Sequence, residues 1–300
     1  MFQGSIVAII TPWKNGKFDR DAFARLIEFQ IENGTSAIVP CGTTGESATM
    51  SHDEHREVIA FTVQQVRRRV PVIAGTGSNS TAEALDLTHH ARKLGADAAL
   101  LISPYYNKPV QEGIYQHYKK IAEECAIPLV VYNCPGRTGS TISPDTVARL
   151  SEIPNIVAYK DAVGSIDHTS EVAVKCGITV LSGNDSMNLP ILAVGGKGAI
   201  SVLANIAPRA TADLCGAALA GQWGKALEMH RKLFHISGTL FVESNPIPVK
   251  AGVEMLGLCG PEIRLPLTPA TDSTKEKLRK AMKEIGLRLE TGDWRLETGD

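Results

Sequence analysis

A lysine at the end of an apolar run is the residue of this 300-residue chain best suited to covalent chemistry. Lys160 follows residues 155–159 (NIVAY) and precedes Asp161. Burial at a strand end would lower the pKa of a lysine, and a partly neutral amine attacks carbonyl compounds to form Schiff bases. The alternative is a lysine that ends a strand and extends its ammonium into solvent. The residues that the fold brings to Lys160 decide between these two interpretations.

Hydroxyl, phenol and guanidinium side chains follow other apolar segments of the chain. Thr43 and Thr44 lie in a glycine-flanked turn. Tyr132 lies at the end of the apolar segment that begins at residue 128, and Arg137 comes shortly after it. If Lys160 formed an imine with a ketone, the adjacent carbon would become acidic, and the resulting enamine could add to an aldehyde. A tyrosine linked to a threonine hydroxyl could transfer the protons, and an arginine could bind a substrate carboxylate. Taken singly, these residues are equally typical of turn caps and of aromatic packing at strand ends.

The pattern of hydrophobic segments predicts the elements that position these residues. Eight short β-branched segments alternate with amphipathic stretches, at residues 5–11, 37–41, 70–74, 98–103, 128–133, 155–160, 179–182 and 198–202. Such alternation is typical of a parallel sheet covered by helices, and eight units predict an α/β fold of the (β/α)₈ TIM barrel type. A doubly wound open sheet is the alternative, but no glycine-rich turn follows the first segment. In a barrel, the carboxyl ends of the strands would gather the chemical residues at one rim.

The remainder of the chain is predicted to be helical. Residues 1–206 are expected to form the catalytic barrel, and residues 207–287 a C-terminal helical appendage. Its candidate helices are residues 211–220, 223–238, 248–256 and 273–285. Residues 288–300 repeat the sequence RLETGD around Trp294, and we expect this tail to lie outside the core.

Composition excludes several classes of protein. The net charge of −1 indicates neither a nucleic-acid partner nor an anionic membrane surface, and no apolar run approaches the ~20 residues of a membrane span. The six cysteines include no C-x-x-C pair, which argues against a metal site and against a disulfide framework. The N-terminus lacks the pattern of a signal peptide. These observations predict a cytoplasmic protein that acts on small molecules.

Four motifs carry a resemblance to a known family. They are residues 42–46 (GTTGE), 104–107 (PYYN), 132–139 (YNCPGRTG) and 159–161 (YKD). In this order and spacing they resemble the pyruvate-dependent class I aldolase family, and within it the dihydrodipicolinate synthase branch, over residues 2–287. The resemblance implies a lyase without a cofactor that condenses pyruvate with L-aspartate-4-semialdehyde in diaminopimelate and lysine biosynthesis. It also implies a homo-oligomer, typically a tetramer.

The resemblance further implies roles for individual residues. The implied catalytic residues are Lys160 as the Schiff-base nucleophile, with Tyr132, Thr43 and Tyr106 as the proton relay. The implied substrate-binding residues are Thr44, Arg137, Gly183 and Ile200. Arg137 would bind the carboxylate of the semialdehyde. In the family, the tyrosine that matches Tyr106 reaches across from a neighbouring subunit, so a dimer would be the smallest active unit.

A second set of residues matches the lysine feedback site of the bacterial enzymes. Its members are Ser47, Ala48, His52, His55, Asn79, Glu83 and Tyr105. Glu83 and Asn79 could bind the ammonium and the amino-acid end of lysine, and lysine is therefore expected as an allosteric inhibitor. A solvated helix start is one alternative. A metal site is another, although His52 and His55 lack the spacing of the H-E-x-x-H motif.

Some features leave alternatives open. Asp161 stands where the family more often has glutamate, which could alter local hydrogen bonds but should leave the nucleophile in place. A sugar-acid lyase acting on N-acetylneuraminate or a 2-keto-3-deoxy sugar acid would use the same imine. A non-catalytic barrel that senses a small ligand is a third reading, against which the nucleophile, relay and carboxylate-binding residues all argue.

Overall fold

Eight parallel strands form the centre of the computed structural model, which describes residues 2–289. They are β1 (Gly4–Ala8), β2 (Ala37–Val39), β3 (Ile73–Gly75), β4 (Ala98–Ile102), β5 (Leu129–Asn133), β6 (Ile156–Asp161), β7 (Thr179–Ser182) and β8 (Gly198–Ser201). Consecutive strands pair with each other except β2 and β3, and β8 pairs with β1. The remaining gap, between β2 and β3, is joined by a parallel bridge between Ile38 and Val72. The predicted barrel is therefore confirmed.

Helices follow the strands along the chain. They are α1 (Arg20–Glu32), α2 (His52–Val66), α3 (Thr81–Lys93), α4 (Gln111–Glu124), α5 (Pro135–Thr138), α6 (Pro144–Ser151), α7 (Ile166–Lys175), α8 (Asn188–Ala193), α9 (Pro208–Leu219), α10 (Trp223–Thr239), α11 (Ile247–Met255) and α12 (Asp272–Glu284). Local sequence explains where several begin. Ser51 and Glu54 form a capping box at the start of α2, and Ser143 caps α6 ahead of Pro144. A short hairpin, Trp13–Lys14 with Lys17–Phe18, follows β1.

Apolar side chains fill the barrel from inside. Ile6, Ile73, Leu100, Leu181 and Ile200 belong to one buried cluster, contributed by alternate residues of the strands. Burial of each large aliphatic side chain stabilises the fold by about 1.5–3 kcal/mol. Two further clusters lie between the strands and the surrounding helices. The strands are thereby held rigidly, so the positions of their carboxyl ends are well defined.

The C-terminal helices share a core with the barrel. Helix α9 packs against β1 and α10, and α12 packs against α10 and α11. Val7, Leu214, Leu233, Leu278 and Met282 all belong to one buried cluster. Residues 207–287 therefore form helices α9–α12, while the boundary predicted at residue 206 stays a prediction. The predicted repeat tail lies, from residue 290 onward, outside the described residues.

Among residues 2–289, no helix combines the length and the apolar character that crossing a bilayer requires.

Candidate active site

Lys160 and Tyr132 are register partners on the neighbouring strands β6 and β5. The lysine is 6% exposed, and its Nζ lies 4.0 Å from the centre of the Tyr132 ring. Burial lowers the pKa of Lys160 to about 8, because the interior solvates an ammonium poorly. The alternative of a lysine that reaches into solvent is thus wrong. At pH 7, roughly a tenth of the Lys160 amine is therefore neutral, far more than for a lysine in solvent.

Tyr132 and Gly183 shape the space around this amine. Tyr132 is buried, and burial raises the pKa of its phenol well above the ordinary value, so the phenol is protonated at rest. Gly183 follows β7, where a Cβ would lie 2.9 Å from Cε of Lys160. Any larger residue would therefore displace the lysine. The arrangement places the Lys160 amine against the Tyr132 phenol, and the absence of a side chain at Gly183 leaves room for the lysine.

A cavity of about 620 Å³ opens at the carboxyl ends of the strands. Six predicted residues line it: Lys160, Tyr132, Thr43, Thr44, Arg137 and Gly183. Its lining among the described residues contains Lys160 and Arg137 but no aspartate or glutamate. An electrostatic environment of this kind suits anionic substrates, because carboxylates are attracted to the two cationic groups.

Two predicted residues lie elsewhere. Ile200 is buried in the cluster that fills the barrel interior, and it is not among the residues that line the cavity. Tyr106 lies on the loop after β4, is 89% exposed, and has a φ of 71°. Within this chain, its phenol does not line the cavity. The roles implied for both residues stay predictions.

Asn245 connects the turn that carries Thr43 and Thr44 to Arg137. The side-chain Nδ2 of Asn245 donates a hydrogen bond to Oγ1 of Thr44 at 3.0 Å. The backbone carbonyl oxygen of Asn245 accepts one from Nη2 of Arg137 at 3.0 Å. Thr44 and Asn245 are both buried. The segment just before α11 therefore sets the position of the Thr44 hydroxyl relative to the Arg137 guanidinium, which follow different strands of the barrel.

Sequence reasoning did not single out Asn245. It lies outside the eight strand segments, in the region interpreted only as helical, and a residue 85 positions after Lys160 has no local spacing that links it to the cavity. The available signal is the Asn245-Pro246 dipeptide, which marks a turn and interrupts the helical pattern. Ser244 and Phe241 of the same segment also line the cavity.

Asp161 follows Lys160 but serves a different purpose. Its Oδ1 accepts a hydrogen bond from the backbone amide of Val163 at 2.9 Å, and its Oδ2 accepts one from Oγ1 of Thr169 at 2.8 Å. Because successive strand residues point to opposite faces, Lys160 faces the barrel interior and Asp161 faces the helix layer. The shorter acid at this position ties the end of β6 to α7 and leaves the nucleophile in place.

A second cavity, of about 440 Å³, lies beside the first. Six of the seven residues predicted for a lysine site line it: Ser47, Ala48, His52, His55, Glu83 and Tyr105. The seventh, Asn79, is not among the lining residues, and its carbonyl accepts a hydrogen bond from Nδ2 of Asn107 at 2.9 Å. Thr43, Arg137 and Asn245 line both cavities, so the two share a wall.

Glu83 is one of two glutamates that line this second cavity, and the other, Glu46, is paired with Lys250. Glu83 accepts hydrogen bonds from the Ser78 hydroxyl and, at 2.9 Å, from Nε2 of His52. These bonds, with that of Ser78 the larger contribution, lower the pKa of Glu83, so its carboxylate is ionised near neutral pH. His55 is buried, its Nε2 is bonded to the Gly75 carbonyl, and burial lowers its pKa. The cavity therefore presents the Glu83 carboxylate beside two imidazoles, and Arg137 adds a guanidinium to the same lining.

The histidines of the second cavity do not form a metal site. Over residues 2–289, no group of three histidine, cysteine, aspartate or glutamate side chains lies close enough together to hold a metal ion. His52 is instead engaged with Glu83, and His55 with a backbone carbonyl.

Known proteins resemble this chain over almost its whole length. Residues 1–285 match the dihydrodipicolinate synthetase family. The 4-hydroxy-tetrahydrodipicolinate synthase of Citrifermentans bemidjiense is 57% identical over 289 residues, which are 96% of this chain and 100% of the relative. Such coverage includes every strand, both cavities and helices α9–α12.

Solved structures agree with this relationship. The dihydrodipicolinate synthase of Aquifex aeolicus superimposes with a TM-score of 0.95 at 50% identity, covering 96% of this chain and 100% of that one. The enzyme of Acinetobacter baumannii, solved in complex with pyruvate, has a TM-score of 0.92 at 48% identity, covering 95% and 99%. The enzyme of Cyanidioschyzon merolae, solved with lysine bound, has a TM-score of 0.93 at 38% identity, covering 96% and 99%. Together with the buried lysine and its cavity, these matches show that the chain belongs to the dihydrodipicolinate synthetase family.

Proposed function

We propose that this chain is a lyase that condenses pyruvate with L-aspartate-4-semialdehyde to give 4-hydroxy-tetrahydrodipicolinate, a step of diaminopimelate and lysine biosynthesis. The observation that carries the proposal is the buried Lys160, whose pKa of about 8 and position against Tyr132 suit an imine-forming amine. Relatives of the same length that are more than half identical carry the name of this activity. The geometry and the kinship thus support the same reaction.

Imine formation is the first step. The neutral Nζ of Lys160 attacks the ketone carbon of pyruvate, and the carbinolamine loses water to give a protonated imine. Thr44 and the backbone amides of its turn bind the pyruvate carboxylate, while Tyr132 supplies the proton that the departing hydroxyl needs. Thr43 lines the cavity with Tyr132 and would pass protons onward to Tyr106 of a neighbouring subunit.

Carbon–carbon bond formation follows. The imine acidifies the methyl group of pyruvate, which loses a proton to become an enamine. The enamine carbon attacks the aldehyde carbon of the semialdehyde, whose oxygen takes up a proton. The amino group of the semialdehyde then attacks the imine carbon, closes the ring and releases Lys160. Arg137 binds the carboxylate of the semialdehyde, and its bond to the Asn245 carbonyl orients the guanidinium for this contact.

The experiment that tests the proposal is a borohydride trap. Pyruvate and borohydride together should add one reduced adduct to Lys160, identified by peptide mass spectrometry. A Lys160→Ala variant should stay unmodified and lose most of its activity. An adduct on another residue, or no adduct, would contradict the mechanism.

A sugar-acid lyase is the rival enzyme, because it would form the same imine. The trap therefore needs a companion assay in which aspartate semialdehyde, N-acetylneuraminate and 2-keto-3-deoxygluconate are compared. Of these three compounds, we expect only aspartate semialdehyde, supplied together with pyruvate, to be turned over. Faster turnover of either sugar acid would replace the proposed substrate while retaining the mechanism. The absence of turnover with every substrate would favour the ligand-sensing barrel.

Regulation by lysine is the second part of the proposal. The second cavity offers the Glu83 carboxylate for an ammonium and shares a wall with the substrate cavity. One structural neighbour was solved with lysine bound. We therefore assign lysine, the end product of the pathway, as the inhibitor that binds there.

The assembly and location of the protein complete the proposal. Tyr106 and Val110 are strongly exposed beside the rim of the barrel, and Tyr105 is half-exposed. Such a patch suits a contact with a second copy of this chain, so we propose a homo-oligomer, and a tetramer as its full form. The six cysteines are free, which agrees with a reducing cytoplasm.

A further inference from the structure

An ion pair between Glu46 and Lys250 lies buried between the barrel and the C-terminal helices. The two side chains are 1% and 3% exposed. Oε1 of Glu46 accepts a hydrogen bond from Nζ of Lys250, and its Oε2 accepts one from the backbone amide of Arg264 at 3.0 Å. Each carboxylate oxygen therefore has one partner, and both partners come from the C-terminal region.

Stability alone gives little reason to keep such a pair. Removing two charges from water costs free energy that their attraction seldom exceeds, and apolar replacements of similar shape are often neutral or stabilising. Burial accordingly lowers the pKa of Lys250, although Glu46 opposes this effect. A buried pair of this kind calls for a role in specifying geometry.

The geometry concerned is that of the turn that carries Thr43 and Thr44. Glu46 belongs to this turn and has a φ of 59°, a left-handed conformation that glutamate adopts only at a cost. Its amide donates a hydrogen bond to the Thr43 carbonyl at 3.1 Å. A side chain at residue 45 would lie 3.1 Å from the Cys41 amide nitrogen and 3.2 Å from the Ile9 carbonyl oxygen, so the turn is packed closely against the segment that follows β1. Any displacement of Glu46 is therefore transmitted to the two threonines.

A second ion pair reinforces the same contact from outside. The Arg264 guanidinium donates two hydrogen bonds to the Glu54 carboxylate, at 2.6 and 2.9 Å, and lies 3.6 Å from the centre of the Trp13 ring. Trp13 is buried. The segment that donates to Glu46 is thus itself anchored to the start of α2, and Lys250 sits on the rigid helix α11.

We infer that Glu46 and Lys250 are positioning residues for keto-acid binding, because their ion pair holds the Thr43–Thr44 turn in the conformation that receives the pyruvate carboxylate. This inference rests on the proposed function. It assigns Lys250 of helix α11 a part in the reaction, although Lys250 is not among the residues that line the substrate cavity.

The test measures how the borohydride adduct on Lys160 depends on pyruvate concentration. In Glu46→Gln and Lys250→Met, the half-saturating pyruvate concentration should rise about 10- to 100-fold, the size expected when a binding group is misplaced by about 1 Å. The adduct at saturation should still reach the wild-type amount. The double variant Glu46→Gln/Lys250→Met buries no unpaired charge and should fold even if a single variant does not. It should show the same raised concentration.

A matched control separates positioning from general stability. Val249→Ala lies next to Lys250 on α11, at a fully buried position, and should lower the melting temperature without changing the half-saturating pyruvate concentration. The inference is overturned if a folded variant of the pair saturates like the wild type, or if Val249→Ala shifts the saturation equally. A wild-type protein that forms no adduct would instead refute the proposed function.

Discussion

Gly183 and Lys160 lie so close together that a Cβ at position 183 would stand 2.9 Å from Cε of the lysine. The lysine stem is thereby enclosed between β7 and the Tyr132 ring, and this enclosure keeps water away from the ammonium. The lowered pKa of Lys160 is thus a consequence of packing, with Asp185 and Cys134 opposing it from a distance. The first two predictions follow from that packing.

The rate of imine formation should rise with pH. The Lys160 amine is protonated below its pKa of about 8 and nucleophilic above it. At a low pyruvate concentration, we therefore expect the initial rate of borohydride trapping to increase up to a plateau, with a midpoint near pH 8. A midpoint close to 10.5, the ordinary value for lysine, would show that the amine is solvated.

Loss of the buried amine should stabilise the protein while destroying its activity. The folded protein holds Lys160 at a pKa of about 8 and the unfolded chain holds it at 10.5, so the unfolded state binds more protons between these values. The free energy of unfolding therefore rises with pH across that window. Below pH 8, burial of the protonated Lys160 lowers it by the full amount, about 3 kcal/mol. Lys160→Met should melt at a higher temperature than the wild type at pH 7. The difference should vanish above pH 10.5. An unchanged or lower melting temperature at pH 7 would argue against a desolvated ammonium.

Removal of the Arg137 guanidinium should weaken the binding of aspartate semialdehyde but not that of pyruvate. Arg137→Ala is expected to raise the KM for aspartate semialdehyde about 10- to 100-fold, since a charged hydrogen-bonding partner is lost. Trapping of pyruvate on Lys160 should change little. Arg137→Lys keeps the charge but not the two-pronged geometry, and should give an intermediate KM. Equal loss of pyruvate trapping and semialdehyde use would assign Arg137 to both substrates.

Neutralising Glu83 should relieve inhibition by lysine. Glu83→Gln removes an ionised carboxylate from the second cavity, and the half-inhibitory lysine concentration should rise at least about tenfold, the value of a charged hydrogen bond. Activity without lysine should persist. The matched control is Asp86→Asn, because Asp86 lies on the same helix but pairs with Arg56. Lysine should inhibit this variant as it inhibits the wild type. If both variants respond to lysine like the wild type, the inhibitor binds elsewhere.

Mixed oligomers should reveal which chain uses Tyr106. A Tyr106→Phe chain and a Lys160→Ala chain are each expected to be nearly inactive. If the phenol serves a neighbouring subunit, co-expression of the two should restore activity, because a mixed dimer then contains one site with both groups. If Tyr106 serves its own chain, no mixed site is complete and activity should stay low. Size-exclusion chromatography of the mixture would verify that the two chains associate.

Local patterns in the sequence were sufficient to predict the barrel and to single out Lys160 as its candidate nucleophile. The eight apolar segments predicted the strands to within three residues of their observed ends, since alternation of buried strands and amphipathic helices has few stable solutions. Lys160, Tyr132 and Arg137 were found because each follows or ends a strand, and barrel topology brings strand ends together. The expected residues of the second cavity lie on the segments that follow β2, β3 and β4, and barrel topology brings these three segments side by side.

Long-range packing decided what local patterns could not. Asn245 and Lys250 meet Thr44 and Glu46 across some 200 positions of sequence, and no periodicity encodes such a contact. The sequence alone determined which groups were available and the barrel that would gather them. Only the tertiary structure decided that Lys160 is enclosed enough to lower its pKa, and that a buried ion pair from the C-terminal helices holds the turn beside it, because burial and the pairing of charges depend on every element packed around them.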